Sequence, residues 1–311
     1  MSDENSNEVD TSCCASCGIA EVDDIKLKDC DGCDLVRYCS DDCQNNHKSQ
    51  HEEACKKRVA ELRDALLFKV PESIHLGDCP ICCLPMPLDN SKSLINECCG
   101  KFICSGCAFT NKLREVEASM IPLCLFCREP MIKTKKELKK LLMKRVEAND
   151  PVAMCFQGGN LCDKGHYSRA FKLFAKAAAL GNAEAHYQLS NMYYLGRFVE
   201  KDEGKYIHHL EEASICGHPE ARCMLGYEES KNNNIERAVK HYIISATQGS
   251  DSSIKMLIAA FKDGLVSKEV LASVLRAHKA AIDATKSPQR LAAEEYERSI
   301  GGHPESAAGR S

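Results

Sequence analysis

The chain is 311 residues long, enough for two or three domains, and its net charge of -4 supplies no broad basic field for nucleic acid. No apolar run approaches the ~20 residues of a membrane span, and the acidic start MSDENSNEVD lacks the basic and apolar parts of a signal peptide, so a cytoplasmic or nuclear location is expected. Thiols stay reduced there, so the 21 cysteines, 17 of them between Cys13 and Cys127, read as metal ligands rather than disulfides.

Residues 1–12 form an acidic start expected to be disordered. A first cysteine module follows over 13–56, with Cys14-x2-Cys17, Cys30-x2-Cys33, Cys39-x3-Cys43 and His51-x3-Cys55. Each pair brings two ligands to one tetrahedral ion, and His51 and Cys55 share a helix face, so eight ligands predict two zincs. Spacing alone leaves three ways of combining the four pairs.

This ligand order, with Tyr38 before Cys39 and Gln44 after Cys43, resembles the MYND zinc finger. The resemblance implies interleaved sites, Cys14, Cys17, Cys39 and Cys43 on one ion and Cys30, Cys33, His51 and Cys55 on the other. It also implies peptide binding in a groove built around a glutamine and a tryptophan. Gln44 is present, but Lys48 stands at the tryptophan position and the chain has no Trp. His47 reads as a surface residue and Cys13 as a spare thiol.

After a helical spacer over 57–78, a second module spans 79–130. It contains Cys79, Cys82 and Cys83, then Cys98, Cys99, Cys104 and Cys107, then Cys124 and Cys127. Three C-x2-C pairs give six ligands, and two more are needed for a second zinc. The layout resembles a RING finger, in which the central segment reads C-G-H-x-x-C. Here Lys101 falls on the histidine, and a protonated lysine has no lone pair to offer. The reading is therefore a rewired site, Cys79, Cys82, Cys104 and Cys107 on one ion and Cys98, Cys99, Cys124 and Cys127 on the other, with His75 and Cys83 as weaker substitutes.

The RING resemblance implies a ubiquitin ligase with no catalytic nucleophile of its own. Ile81 and Leu125 would contact a ubiquitin-charged conjugating enzyme, and Arg128 would lock the donor ubiquitin, so that orientation alone promotes transfer.

A basic helical linker is expected over 131–150, its run Lys133 to Arg145 reading as a solvated helix face. Residues 151–283 then repeat: Ala153, Ala185, Ala221 and Ser253 stand in register at spacings of 32, 36 and 32, one helix pair per repeat. Gly181, Gly217 and Gly249 suit left-handed helix ends, Asn182 and Ser250 suit N-caps, and Pro151 and Pro219 suit first helical positions. In the second helices, Phe171 and Phe174 correspond to Ile207 and Leu210, then to Val239 and Tyr242. With the AKAAALGN ending, these segments resemble the Sel-one-like repeats, relatives of the tetratricopeptide repeat. That implies a solenoid of antiparallel helix pairs that binds proteins. Residues 284–311 read as a polar tail, disordered beyond Ser299.

The expectation is a mainly α chain: two small zinc-stabilised modules, MYND-like and RING-like, with four zincs, two per module, and an α-helical repeat solenoid. It would act as a RING-type ligase whose finger and repeats recruit protein partners or substrates, or as a non-catalytic zinc-binding adaptor. Neither a membrane nor a nucleic acid is an expected partner.

Overall fold

The computed structural model describes residues 13–22, 25–131 and 134–301, so the expectations for the acidic start, for Lys133 and for the extreme tail lie outside the described residues. The chain divides into two compact units at Lys69/Val70.

The first unit is a small finger and one long helix. Strands β1 (Lys28–Asp29) and β2 (Arg37–Tyr38) pair antiparallel, and Cys14, Leu27, Val36 and Tyr38 form the core. Four side chains are too few to order such a module against roughly 1–2 kcal/mol of backbone entropy per residue. Helix α1 (Asp41–Leu67) starts where Ser40 accepts from the Cys43 amide, with Asp41 and Asp42 facing the positive helix end. It runs unbroken past the last finger cysteines, so only the first part of the expected 57–78 spacer is helical. The helix stops there because Val70 precedes Pro71, and a residue before proline is driven towards extended backbone.

The second unit begins with the second cysteine module. After a single 3-10 turn, β3 (Ser93–Ile95) pairs with β4 (Phe102–Cys104), and α2 (Ser105–Glu117) follows directly. Its core is Cys79, Met86, Ile103 and Cys104. Helix α3 (Lys135–Glu147) opens with a capping box, Thr134 and Glu137, and buries Leu142 while its lysines face solvent.

The array comprises α4 (Pro151–Asp163), α5 (Tyr167–Ala179), α6 (Ala183–Leu195), α7 (Glu203–Ile215), α8 (Pro219–Lys231), α9 (Ile235–Thr247), α10 (Asp251–Lys262) and α11 (Lys268–Ala284). Consecutive helices pack as pairs, α4 on α5, α6 on α7 and α8 on α9, and each pair packs on the next. Asp150, Asn182, His218 and Ser250 all cap the first helix of a pair with a side-chain acceptor. Gly181, Gly217 and Gly249 are left-handed, at φ 80°, 80° and 97°. Ala153, Ala185, Ala221 and Ser253 are fully buried where paired helices meet, as are Phe174 and Leu210 in the facing helices, with Tyr242 nearly so. The longer middle repeat takes up its extra residues between α6 and α7. Among the described residues no helix is long and apolar enough to cross a membrane.

One segment departs from expectation. The sequence reads as a polar tail over 284–311, disordered only beyond Ser299, and within it α12 (Pro288–Gly301) is a helix packed on α2. Its apolar positions, Leu291, Ala293 and Tyr296, are too sparse to announce a buried face, but Ala293 is 2 % exposed. The polar residues that surround it have partners in the second cysteine module.

Candidate metal centres

Three C-x2-C pairs build the same local turn. Cys14, Cys79 and Cys124 each accept, through the carbonyl, from the amide four residues on: Gly18 at 2.8 Å, Cys83 at 2.8 Å and Arg128 at 3.0 Å. Each also donates its own amide to a carbonyl one residue further along, Ile19, Leu84 and Glu129. The residue after the second cysteine is left-handed in all three, at φ 76° for Gly18, 54° for Cys83 and 62° for Arg128. The turn points two sulfurs to one side and directs the next side chain away, which is why Cys83, though adjacent to the Cys79 and Cys82 pair, is exposed and joins no cluster among the described residues.

The remaining clustered side chains come from helices and from loops, Cys30 and Cys33 from the turn between β1 and β2. Cys104 caps α2 with its sulfur, accepting from the Cys107 amide at 3.4 Å, so both project from the first turn. Cys43, His51 and Cys55 lie along α1. Cys98 and Cys99 occupy a turn closed by Cys99 and Gly100 amides donating to the Asn96 carbonyl. A Cβ at Gly100 would overlap the Arg145 guanidinium, which donates to the Glu97 carbonyl and binds Asp150, the cap of α4.

Four tetrads result: Cys14, Cys17, Cys39 and Cys43; Cys30, Cys33, His51 and Cys55; Cys79, Cys82, Cys104 and Cys107; Cys98, Cys99, Cys124 and Cys127. Within each, the donor atoms lie within 4.8 Å of one another. Sulfur pairs stand at 3.6 Å for Cys17 and Cys39, 3.8 Å for Cys30 and Cys55, 3.8 Å for Cys82 and Cys104, and 3.3 Å for Cys98 and Cys127. A tetrahedron with metal–sulfur bonds of ~2.3 Å has edges of about 3.8 Å, whereas a disulfide is about 2.05 Å. The clusters therefore have the dimensions of zinc sites, and all 21 cysteines are thiols.

The electrostatics of the donor sets point the same way. Burial opposes ionisation of Cys14, but the amides of Cys17, Cys39 and Ser16 outweigh it and bring that thiol down to about 6. Cys79 and Cys124 come down to about 7 by the same balance of burial against knuckle amides. Their neighbours go the other way: the sulfurs of Cys17 and Cys43 push Cys39 up to about 12, and burial raises Cys98 and Cys107 further. A tetrad holding one ready thiolate accepts further negative charge only with a cation at its centre, which a dication supplies. Burial, then His47, holds His51 down and keeps it neutral, with its Nε2 3.1 Å from Cys33 Sγ. His47 stands behind it, stacked on His51 and bonded to Tyr38 Oη at 3.1 Å. Cys13 and Lys101 belong to no tetrad, and Lys101 is exposed.

The non-ligand residues singled out in the sequence are also placed. Ile81 is 41 % exposed, Leu125 is half-buried and Arg128 is exposed. Gln44 and Lys48 line a cavity of about 680 Å³ beside α1, together with Tyr38, Gly32 and Val59.

A fifth cluster, His75, Glu184 and His218, was not anticipated as a group. His218 Nδ1 accepts from the Ala221 amide at 3.2 Å as the cap of α8, so its proton is on Nε2, which donates to Glu184 at 3.1 Å. His75 stacks on His218 with ring centroids 4.2 Å apart and 13° between planes. Parallel rings do not converge their lone pairs on one point, and metal at His218 would cost the helix cap. This cluster is a hydrogen-bonded node that pins segment 71–77 to the array, through the His75 amide and the Gly217 carbonyl at 2.9 Å.

Comparison with known proteins agrees with these parts. Residues 14–55 match the MYND finger, and residues 152–182, 183–218 and 219–250 each match the Sel1 repeat. No curated protein matches the chain. Among solved structures, a Sel1 repeat protein from Oxalobacter formigenes aligns at 19% identity over 62% of this chain and 86% of its own, with a TM-score of 0.42. A protective antigen of uropathogenic Escherichia coli displaying an SLR fold aligns at 19% identity over 54% of this chain and 36% of its own, with a TM-score of 0.39. Neither family match reaches residues 56–151, where the second cysteine module lies. The chain thus carries a zinc-binding MYND finger at residues 14–55 and three Sel1 repeats, of a kind that engages other proteins, at residues 152–250.

Proposed function

We propose that this protein is a zinc-dependent adaptor in which four zincs, two in the MYND finger and two in a RING-like second module, hold two protein-binding surfaces in addition to those of the Sel1 repeats. The observation that carries this reading is the convergence of sixteen Cys and His side chains into four tetrads of zinc dimensions. The cavity at Gln44 and Lys48 supports peptide binding by the finger, with a cation in place of the indole expected for proline-rich ligands. Zinc analysis of the full chain after exhaustive dialysis tests it. Four ions per chain are expected, and Cys98→Ser is expected to lower the count by one. Two ions, both resident in the finger, would remove the second module from the reading.

A ligase is the second reading, and the solvent exposure of Ile81 and Arg128 on two knuckles of the second module favours it. The full chain would be tested for discharge of ubiquitin from charged conjugating enzymes onto free lysine. An adaptor gives no acceleration with its zinc intact. Acceleration abolished by Ile81→Ala would move the protein to the ligase class.

A further inference from the structure

Helix α12 opens with an arginine buried in the cysteine module rather than in the array. Arg290 is 5 % exposed. Its Nη1 donates to the carbonyls of Pro85 and Thr285, both at 2.7 Å, and its Nη2 donates to the Leu84 carbonyl at 3.2 Å and to Cys82 Sγ at 3.4 Å. Leu84 is the residue whose carbonyl closes the Cys79 knuckle. One guanidinium from 208 positions along the chain therefore holds both a cluster sulfur and the turn that aims it.

The approach is built in from both sides. A Cβ at Gly106, between ligands Cys104 and Cys107, would sit 2.6 Å from the Arg290 backbone nitrogen, so only glycine lets α12 come this close. Tyr296 packs on Phe109 with centroids 5.0 Å apart, and Glu294 pairs with Lys92 at 2.9 Å. Four thiolates around one dication leave a net charge near -2, in a site whose Cys79 and Cys104 are buried and whose Cys82 and Cys107 are half-buried. An always-charged, forked donor lowers that charge density, and the positive end of α12 adds to it.

We propose that Arg290 is an outer-shell positioning residue of the Cys79, Cys82, Cys104 and Cys107 metal site, and that metal retention there and the docking of α12 are one coupled event. The proposal rests on the reading of this tetrad as a zinc site. Loss of the ion would free the sulfur and the knuckle that hold Arg290, releasing α12; loss of Arg290 would leave the thiolate charge without its partner and speed release of the ion.

The test uses the full chain and follows zinc release to a chromogenic chelator, with Cys79→Ser identifying which ion belongs to this site. In Arg290→Leu that ion is expected to leave about tenfold faster or more, the usual scale for removing an outer-shell partner. Arg290→Lys, which keeps the charge but not the fork, is expected to fall between, and it keeps the test alive should the leucine variant fold poorly. In cobalt-substituted protein, Arg290→Leu is expected to move the sulfur-to-cobalt charge-transfer band to longer wavelength. Tyr296→Ala, which loosens α12 but retains the guanidinium, is expected not to move it. Stripping zinc from the unmodified chain is expected to expose the α12 amides to hydrogen exchange. Unchanged release and an unchanged band in folded Arg290 variants would overturn the proposal, as would α12 protection that survives zinc removal. If wild type and Cys79→Ser hold equal zinc, the zinc reading itself fails, a result distinct from either.

Discussion

Arg128 illustrates what one residue owes to its backbone. It is left-handed at φ 62°, in the knuckle position that Gly18 fills in the finger, and a non-glycine residue there costs roughly 1–2 kcal/mol. Arg128→Gly is therefore expected to raise stability by about 1 kcal/mol with zinc content unchanged, and Gly18→Ala to lower it by about as much, both measured by chemical denaturation of the zinc-loaded chain. A loss of stability in Arg128→Gly would mean the side chain makes a contact that outweighs the strain. The pairing of the cysteines into knuckles was legible from C-x2-C spacing because that spacing acts locally. The strain was not, since neither Cys83 nor Arg128 announces a left-handed residue, although superposing the three knuckles on Gly18 gives the signal. His75 makes a second residue-scale case. Burial, then the His218 ring, holds it down to about 4 from an ordinary 6.5. The folded state thus disfavours the proton that the unfolded chain accepts, so its contribution is full above pH 6.5 and is lost as pH falls towards 4. Between pH 7 and 5 that loss is about 2 kcal/mol. Unfolding free energies of wild type and His75→Gln should diverge by that amount between pH 7 and 5, and parallel pH dependences would dismiss the effect.

At the scale of elements, the repeats were legible where they are periodic. Ala153, Ala185, Ala221 and Ser253 are all fully buried, so a small side chain is called for at the same place in each pair, and that requirement recurs in the sequence. A second requirement went unread. Gly158 in α4 and Gly226 in α8 occupy equivalent places, and an added Cβ would lie 2.5 Å from Phe174 and 2.7 Å from Tyr242 respectively. Those rings belong to the corresponding positions read from the sequence, so a glycine that looks like a weak helix residue is the socket for its partner's ring. In the middle repeat the place is Ser190, facing a helix whose corresponding residue is Leu210, and the side chain is tolerated. Gly226→Ala is expected to cost about 1–3 kcal/mol, because Tyr242 is 3 % exposed and has nowhere to move. Gly159→Ala supplies the control: a Cβ there meets nothing within 4 Å, and alanine is the better helix former by up to about 1 kcal/mol. Thermal melts of the two variants should move in opposite directions. A Gly226→Ala melt at or above wild type would show that the helix pair separates more easily than its packing implies.

For the whole molecule, the question is what counts as a unit. By sequence the second module is 79–130, a self-contained set of ligands between helices. Structurally it belongs to the compact unit that begins at Val70 and includes the array. Two arginines are among the contacts that tie it in: Arg145 joins the Glu97 carbonyl to the cap of α4, and Arg290 joins the Cys79 knuckle to α12. Contacts of this kind span up to 208 positions, and no local pattern encodes them, which is why α12 was read as a tail. The consequence is measurable with three lengths of chain: 70–150, which keeps every ligand of the module; 70–287, which adds the array; and 70–301, which adds α12. If the ligands alone define the unit, all three hold two zincs with equal tenacity. The arrangement of Arg290 instead predicts that 70–150 and 70–287 both lose one zinc to chelator about tenfold faster than 70–301. The second zinc is expected to be retained better in 70–287 than in 70–150, because only the former supplies the helix on which Arg145 and Asp150 converge. Equal release from 70–287 and 70–301 would make α12 a passenger on the module and return the boundary to the last cysteine.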